Sequence, residues 1–455
     1  MLITKQGTGA QPGGARYAWY VVVVLMFTYT VAFIDRQILS LLVQPIRHDL
    51  GLNDTQIGLL GGFAFAVFYT VLGVPIARLA DRVNRRYLIA AGVALWSLMT
   101  AACGLSKTYW QLFVMRVGVG VGEATLSPAA YSMIADYFPP HKLARAISVY
   151  TMGLYGGAGL ALLAGSAVVA LVSGTESVTV PLIGEWRPWQ LTFFIVALPG
   201  VLVLALLATV REPERREFSH QAAVAAGDRK PAEWRELARF FRSDRRIWLA
   251  HFGGFMALGT VITAYLFWVP EFLRRNHGFD IAEAGLIYGL ALVLLGTSGP
   301  YAGGWLAERL AVAGRRDAEW RAAIYCGSGM IPLSVITPLV ADPALAVVLL
   351  AAATFVLAMP QGLAPTIIQL IAPNRLRAQV TAIFILVAVL AGYTGGPTFV
   401  AMLNDFVFRD ENALRYSLAI VSGVLTPIGV LMLLWGLKPY RELRADAEDA
   451  DADGR

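Results

Sequence analysis

The chain has 455 residues, of which 57% are hydrophobic and only 15% charged, with a mean hydropathy of +0.60. Soluble domains carry roughly 25% charged residues, so an apolar surplus of this size has no water-facing place and must meet lipid. The formal charge of +6 does not point to nucleic acid, because the basic residues fall between apolar runs, the pattern that orients a membrane protein.

A bilayer-spanning helix needs about 20 mostly apolar residues. Uncharged runs of that order occupy 55–77, 87–106, 146–175, 191–210, 247–270, 284–307, 322–341, 343–373, 378–404 and 416–437. Two more, 17–43 and 108–135, are as long but interrupted by charge, which makes twelve. The expected fold is therefore an all-α membrane protein of twelve transmembrane helices. In chain order it comprises a polar lead over 1–16 with no signal-peptide cleavage pattern, six helices within 17–210, a connector over 211–246, six helices within 247–438 and an acidic tail over 439–455. Residues 232–242 of the connector read as an amphipathic surface helix and the tail as disordered.

Arg82, Arg85 and Arg86, then Lys142 and Arg145, then Arg309, Arg315 and Arg316, then Arg375 and Arg377 all fall on one side. The connector joins them with ten Lys or Arg in 36 residues, although Arg274 and Arg275 sit near the opposite side. The positive-inside rule makes that basic side, and both termini, cytoplasmic in a cell (inner or plasma) membrane. The halves echo one another. Gly58-Leu59 opens a span ending in Leu79-Ala80-Asp81-Arg82, and 227 residues on, Gly285-Leu286 opens one ending in Leu306-Ala307-Glu308-Arg309. Two pseudo-symmetric six-helix bundles are what a major facilitator fold requires.

Ten of the spans hold no Asp, Glu, Lys or Arg in their apolar stretches, whereas the first and fourth hold Asp35, Arg36, Arg116 and Glu123. Each charge at mid-membrane costs about 2.5–3.5 kcal/mol on insertion scales, so these side chains face the bundle interior and have partners. Arg116 and Glu123 are seven residues apart and share a helix face with roughly 10 Å of rise between them. The first helix runs the opposite way, which places Asp35 and Arg36 at a depth between those two. Two readings stand: a structural ion-pair network, or a proton and anion site. In the second, Glu123 is the main proton carrier with Asp35, and Arg116 anchors substrate with Arg36.

Tyr155, Tyr265, Tyr288, Tyr393, Gln361 and Gln369 are candidates to line the cavity, or else hydrogen-bond between helices. Gly153, Gly156, Gly157 and Gly159 suit a flexible gate or simple close packing. Gly118, Gly120 and Gly122 imitate a nucleotide loop but lie mid-span and read as packing. Asp81 with Arg82, Arg85 and Arg86, echoed by Glu308-Arg309, reads as a conformational latch as well as a membrane anchor.

The run Gly73-x-x-x-x-Arg78-Leu-Ala-Asp81-Arg82-x-x-Arg85-Arg86 resembles the loop 2–3 motif of the major facilitator superfamily, departing from it at Asn84 and Arg78. Phe33-Ile34-Asp35-Arg36, the stretch from Arg116 through Gly118, Gly120 and Gly122 to Glu123-Ala124 and Ser127-Pro128, and Ile134 to Pro139 resemble the Spinster-type branch. The resemblance implies a proton-linked carrier with roles at Asp35, Arg116 and Glu123. Animal members of that branch move sphingosine phosphate or lysophospholipids, which implies an amphipathic or anionic substrate.

A pump driven by ATP needs a G-x-x-x-x-G-K-[ST] loop, and the sequence has none. Of five histidines only His251 lies in an apolar run, so no metal set and no enzyme constellation emerge. The expectation is a monomeric, cofactor-free carrier whose partners are a small-molecule substrate, protons and membrane lipid, with no nucleic acid. The alternative is a membrane sensor on the same scaffold that binds ligand without net transport.

Overall fold

A computed structural model describes residues 14–80, 83–138, 146–147, 149–150, 153–172, 178–180, 184–213 and 234–452. In hydrocarbon every backbone N–H and C=O needs a partner within the segment, so long apolar runs become helices. Span 1 is Gly14–Leu41, followed by a short helix Val43–Leu50 that ends on Gly51 in the left-handed conformation. Span 2 comprises Asp54–Gly61 and Phe63–Ala80, and opens on a capping box between Asn53 and Gln56. Span 3 is Arg85–Cys103, and span 4 is Tyr109–Glu123 with Leu126–Tyr137. Span 5 is Gly153–Val172, and span 6 is Pro188–Ala197 with Pro199–Thr209.

After the helix Trp234–Ser243, span 7 runs over Arg245–His277 and stops at Gly278, again left-handed. Span 8 joins Ile281–Ala291 to Gly299–Val312 through a π-helical turn. Span 9 is Ala318–Leu339, and span 10 joins Pro343–Ala358 to Leu363–Ile371 through a 3₁₀ turn at Pro360. Span 11 is Asn374–Met402 with the π-helical extension Leu403–Phe408, and span 12 is Leu414–Ala452.

Ten of these stretches are long and apolar enough to cross a membrane, and within span 5 the shorter apolar stretch Gly156–Ala170 adds another. Span 4, charged and broken at Ala124, supplies the twelfth apolar helical segment. Large apolar side chains are exposed along the spans, including Val71, Trp110, Leu198, Tyr301, Val312 and Phe406, as a lipid-facing surface requires.

Two local features differ from the sequence expectation. The acidic tail is not irregular: span 12 continues as helix to Ala452. Its Ala, Leu, Arg and Glu residues are strong helix formers, and Arg441 Nε donates 2.9 Å to Asp317 Oδ2, tying the start of the tail to the head of span 9. The all-helical expectation also omitted a two-stranded antiparallel ribbon pairing Val178–Val180 with Gly184–Trp186.

Taken as alternating in direction, these spans put the start of span 1, the end of span 6, the start of span 7 and the end of span 12 at one face, here called the terminal face, and the other is the distal face. The buried core divides along that axis. One apolar cluster unites the distal ends of spans 1 to 6 (Ile38, Leu60, Leu112, Leu162, Phe193) with the second half at all depths. A second cluster holds the terminal-face ends of the first half alone, through residues such as Leu25, Trp96, Met133 and Leu207. The halves are thus cemented at the distal end.

Candidate functional site

Spans 1 and 4 bring the four mid-membrane charges together. Arg36 Nε donates to Glu123 Oε2 at 2.5 Å, with the Glu123 side chain fully buried and that of Arg36 11% exposed. Arg116, itself 1% exposed, donates from Nη1 to the backbone carbonyl of Asp35 at 2.8 Å. Asp35 is fully buried, its carboxylate forms no ion pair among the described residues and has the Thr100 hydroxyl beside it, and Glu123, Arg116 and Arg36 are its charged neighbours. Glu123 Oε1 and Arg116 Nε are also buried without partners. Two acids and two arginines cancel in charge. Unmade hydrogen bonds at buried groups cost about 1–3 kcal/mol each or more, so the cluster holds potential partners in reserve for a ligand or a proton.

The tight approach of the supporting helices follows from glycine. A Cβ on Gly122 would lie 2.8 Å from the Gly92 carbonyl and from Trp96, and one on Gly120 would lie 2.7 Å from the Phe65 carbonyl. The glycine run therefore seats span 4 directly against spans 2 and 3 and aims Glu123 inward.

The Arg36 guanidinium is enclosed by aromatic rings. Its Cζ lies 4.3 Å from the centroid of Phe65, 4.8 Å from Phe33, 5.3 Å from Tyr69 and 6.0 Å from Tyr393. Span 11, in the second half, supplies Tyr393, so this cage bridges the two bundles. Of the other cavity candidates, Tyr265 is buried and its hydroxyl donates 2.5 Å to the Ser334 carbonyl, an interhelix bond. Tyr288 is buried in the second half, Gln361 is exposed, and Gln369 Nε2 donates to the Thr381 hydroxyl at 3.3 Å. The side chain of Tyr155 lies outside the described residues.

Among the candidate gate glycines, Gly153 and Gly157 face span 1, where a Cβ would lie 3.0 Å from the Met26 carbonyl and 3.1 Å from Thr30 Cα. Gly159 faces span 8, 2.7 Å from the Gly289 carbonyl, whereas Gly156 faces open space. Of the latch residues, Asp81 and Arg82 lie outside the described residues, and Gly73 faces open space. Arg85 is 1% exposed; it pairs with Asp136, with Glu212 Oε1 at 2.6 Å, and donates to Ser132 at 2.8 Å. Arg86 donates from its backbone to Glu212 and from Nη1 to the Val210 carbonyl. Glu308 and Arg309 are exposed, with Arg309 stacked 4.2 Å from Trp305.

Arg85 therefore clasps spans 3, 4 and 6 at the terminal face. Arg85→Ala is expected to lower stability by about 1.5–3 kcal/mol, the range for hydrogen bonds to charged groups, because it removes a buried guanidinium from the partly exposed Asp136 and Glu212. Equilibrium unfolding in mixed micelles checks this, and an unchanged midpoint would show the clasp to be energetically idle.

The distal face carries a second charged network, one that sequence reasoning missed. Arg275 of span 7 grips Asp54 of span 2 with both terminal nitrogens, at 2.6 and 2.9 Å, and its Nε meets Glu271. Gln44 Nε2 reaches Glu271 at 2.9 Å, and Arg47 holds Glu411 at 2.7 and 3.0 Å. Asn404 Nδ2 donates to Asp54 at 3.0 Å. Asp405 of span 11 accepts from the backbone N–H groups of Asp54 and Thr55, so the second half caps the positive helix end of the first. Arg275, Asp54 and Glu271 have side chains no more than 2% exposed. The network closes the distal end across the halves.

The sequence profile of the Major Facilitator Superfamily matches residues 25–397. The chain belongs to this superfamily. Within it, the chain is 31% identical to an MFS-type efflux pump of Mycolicibacterium smegmatis over 94% of either protein. It is 29% identical to human Protein spinster homolog 1, over 71% of this chain and 60% of that one. A crystal structure of a bacterial homolog of the human lysosomal transporter Spinster, inward-facing and unoccupied, superposes with a TM-score of 0.74 at 27% identity, covering 95% of this chain and 98% of that one. The facilitator fold, the Spinster relatives and a multi-pass transporter architecture are thereby established.

Proposed function

We propose that this facilitator is a proton-coupled secondary transporter that moves a small amphipathic or anionic organic molecule by alternating access, with its terminal face in the cytoplasm. One observation carries the reading: the buried Arg36–Glu123 pair, beside an Asp35 carboxylate that forms no ion pair, at a junction of the two halves. A charged ligand head that engages one partner of the pair frees the other. Released from Arg36, Glu123 takes a proton in its low-dielectric setting; held by Arg36, it stays ionised. Ligand and proton occupancy are therefore linked at one side chain, and Asp35 offers a second carboxylate for the same traffic.

Of the two arginines, Arg36 is the one with an exposed edge. The more deeply buried Arg116 holds the span 1 backbone through the Asp35 carbonyl. The ligand-accessible edge of the cluster is accordingly the one that Arg36, Glu123 and the surrounding rings form, with Arg116 fixing their frame. The closed distal network supports a state open toward the terminal face, and alternation requires that network to part.

The test starts from a thermal-shift screen of purified protein against lysolipids, amphipathic anions and cationic drugs. Ligands that bind are then added to proteoliposomes loaded with a pH dye. Ligand-dependent proton movement is the expected result. Binding without flux of ligand or proton would replace the carrier with a sensor.

A further inference from the structure

A guanidinium walled by four aromatic faces, with a carboxylate at its edge, is the constellation that recognises an organic cation. Here the protein fills it with its own side chain. We propose that Arg36 is a tethered stand-in for the substrate, and that the cage of Phe33, Phe65, Tyr69 and Tyr393 with Glu123 receives the ammonium or guanidinium head of an amphipathic organic cation. This deepens the carrier reading and rests on it.

The walls decide the sign of the ligand. Aromatic ring faces carry negative potential and attract cations. An anion entering the cage would meet four such faces together with the carboxylates of Glu123 and Asp35, against one remaining buried cation, Arg116, which is engaged with the Asp35 carbonyl. A cation meets the same surroundings that hold the Arg36 guanidinium, and it inherits the Glu123 partner at 2.5 Å. The exchange is open to a flexible side chain. Arg36 is 11% exposed, and its long stem lets the charged end swing toward that exposed edge while the backbone stays in place. The apolar remainder of the ligand has a matching wall nearby, since Tyr29, Tyr131 and Tyr150 continue the aromatic surface, with ring centroids 5.0 and 5.3 Å apart along that series.

Two consequences separate this site from a passive housing for Arg36. Ligand and proton exclude one another at Glu123: the ionised carboxylate holds the incoming cation, and the protonated form releases it. One charge enters as one proton leaves, so the exchange balances as antiport. The cage is also complete only while Tyr393 of span 11 lies against Phe65 of span 2, at 6.2 Å between centroids. Parting of the halves at that seam therefore opens the cage and frees the head group.

Octylguanidinium and octanoate serve as matched cationic and anionic probes, titrated by calorimetry against the full chain in nanodiscs. Wild type should bind octylguanidinium more weakly at acid pH than at neutral pH. Arg36→Ala removes the resident competitor and should tighten that binding by about tenfold or more. Phe65→Ala combined with Tyr393→Ala should weaken it by about tenfold or more. Arg36→Lys, which keeps a cation in the cage, should bind no more tightly than wild type, so an unfolded alanine variant cannot mimic the result. Octanoate binding that Arg36→Ala abolishes, with no binding of octylguanidinium, would overturn the proposal and leave a carrier for anions. Absence of ligand-driven flux for every molecule that binds would instead sink the carrier reading, whatever the head group.

Discussion

Glu123→Gln should erase the link between pH gradient and substrate accumulation. One proton moving down a gradient of about two pH units releases about 2.7 kcal/mol, enough for roughly hundredfold accumulation with the membrane potential clamped at zero. The variant should accumulate no substrate above its equilibrium level. Exchange of labelled for unlabelled substrate needs no net proton movement, so for an anionic head it should persist, because a carrier fixed in a neutral state still alternates; for a cationic head held by the ionised carboxylate, exchange should fall together with binding. Folding should survive as well: the glutamine carbonyl accepts from Arg36 Nε where the carboxylate now does, and the Arg36 charge keeps its ring contacts and its Asp35 neighbour. Dye-reported proton flux and labelled exchange in the same vesicles check both halves of the statement. Gradient-driven uptake at wild-type level in the variant would move proton coupling away from this residue, with Asp35→Asn the next substitution to measure.

The central charges were visible in the sequence for a physical reason. Ionised groups inside apolar runs are expensive, so Asp35, Arg36, Arg116 and Glu123 stand out, and helical rise places them at comparable depth. Sequence could not say which acid meets which arginine. The structure gives Glu123 to Arg36 and leaves the Asp35 carboxylate without an ion pair while Arg116 binds its backbone. The cage was illegible because Phe33, Phe65 and Tyr69 are ordinary aromatics in apolar helices. Only the packing of spans 1, 2 and 11 turns their faces toward one guanidinium. Tyr265 shows the reverse case. A polar ring in a span invites a cavity role, but its hydroxyl is engaged with the Ser334 carbonyl. The distal network escaped notice because Asp54, Glu271 and Arg275 lie at helix ends, where charge is commonplace and carries no signal until tertiary contacts are known.

That network is the place where a single substitution should change the resting conformation most. Arg275 satisfies Asp54 bidentately across the halves and Glu271 within its own helix, all three side chains being buried in the closed distal end. Removing one member of such a set leaves buried charge uncompensated, at a cost of about 3–5 kcal/mol. The cost falls on the closed state, because parting of the halves hydrates both acids. Asp54 retains Asn404 and Arg47 at 3.0 and 3.2 Å, which favours the lower end of that range. Even about 3 kcal/mol shifts a two-state equilibrium by more than a hundredfold, so Arg275→Ala should turn a closed distal end into a mostly open one. Spin labels at Lys107 and Ala341, exposed in distal loops of opposite halves, would read this as a longer distance population. Arg274→Ala provides the contrast. Arg274 also pairs with Glu271 but is itself one-third exposed and lies in the same helix, and its loss leaves Glu271 still held by Arg275 and Gln44, so it should cost about 1 kcal/mol or less. No distance shift in Arg275→Ala would mean that apolar packing of spans 2 and 11 and of spans 5 and 8 holds the distal end shut without help from the ions, and equal shifts in the two variants would mean that the Asp54 pair across the halves is not what holds it.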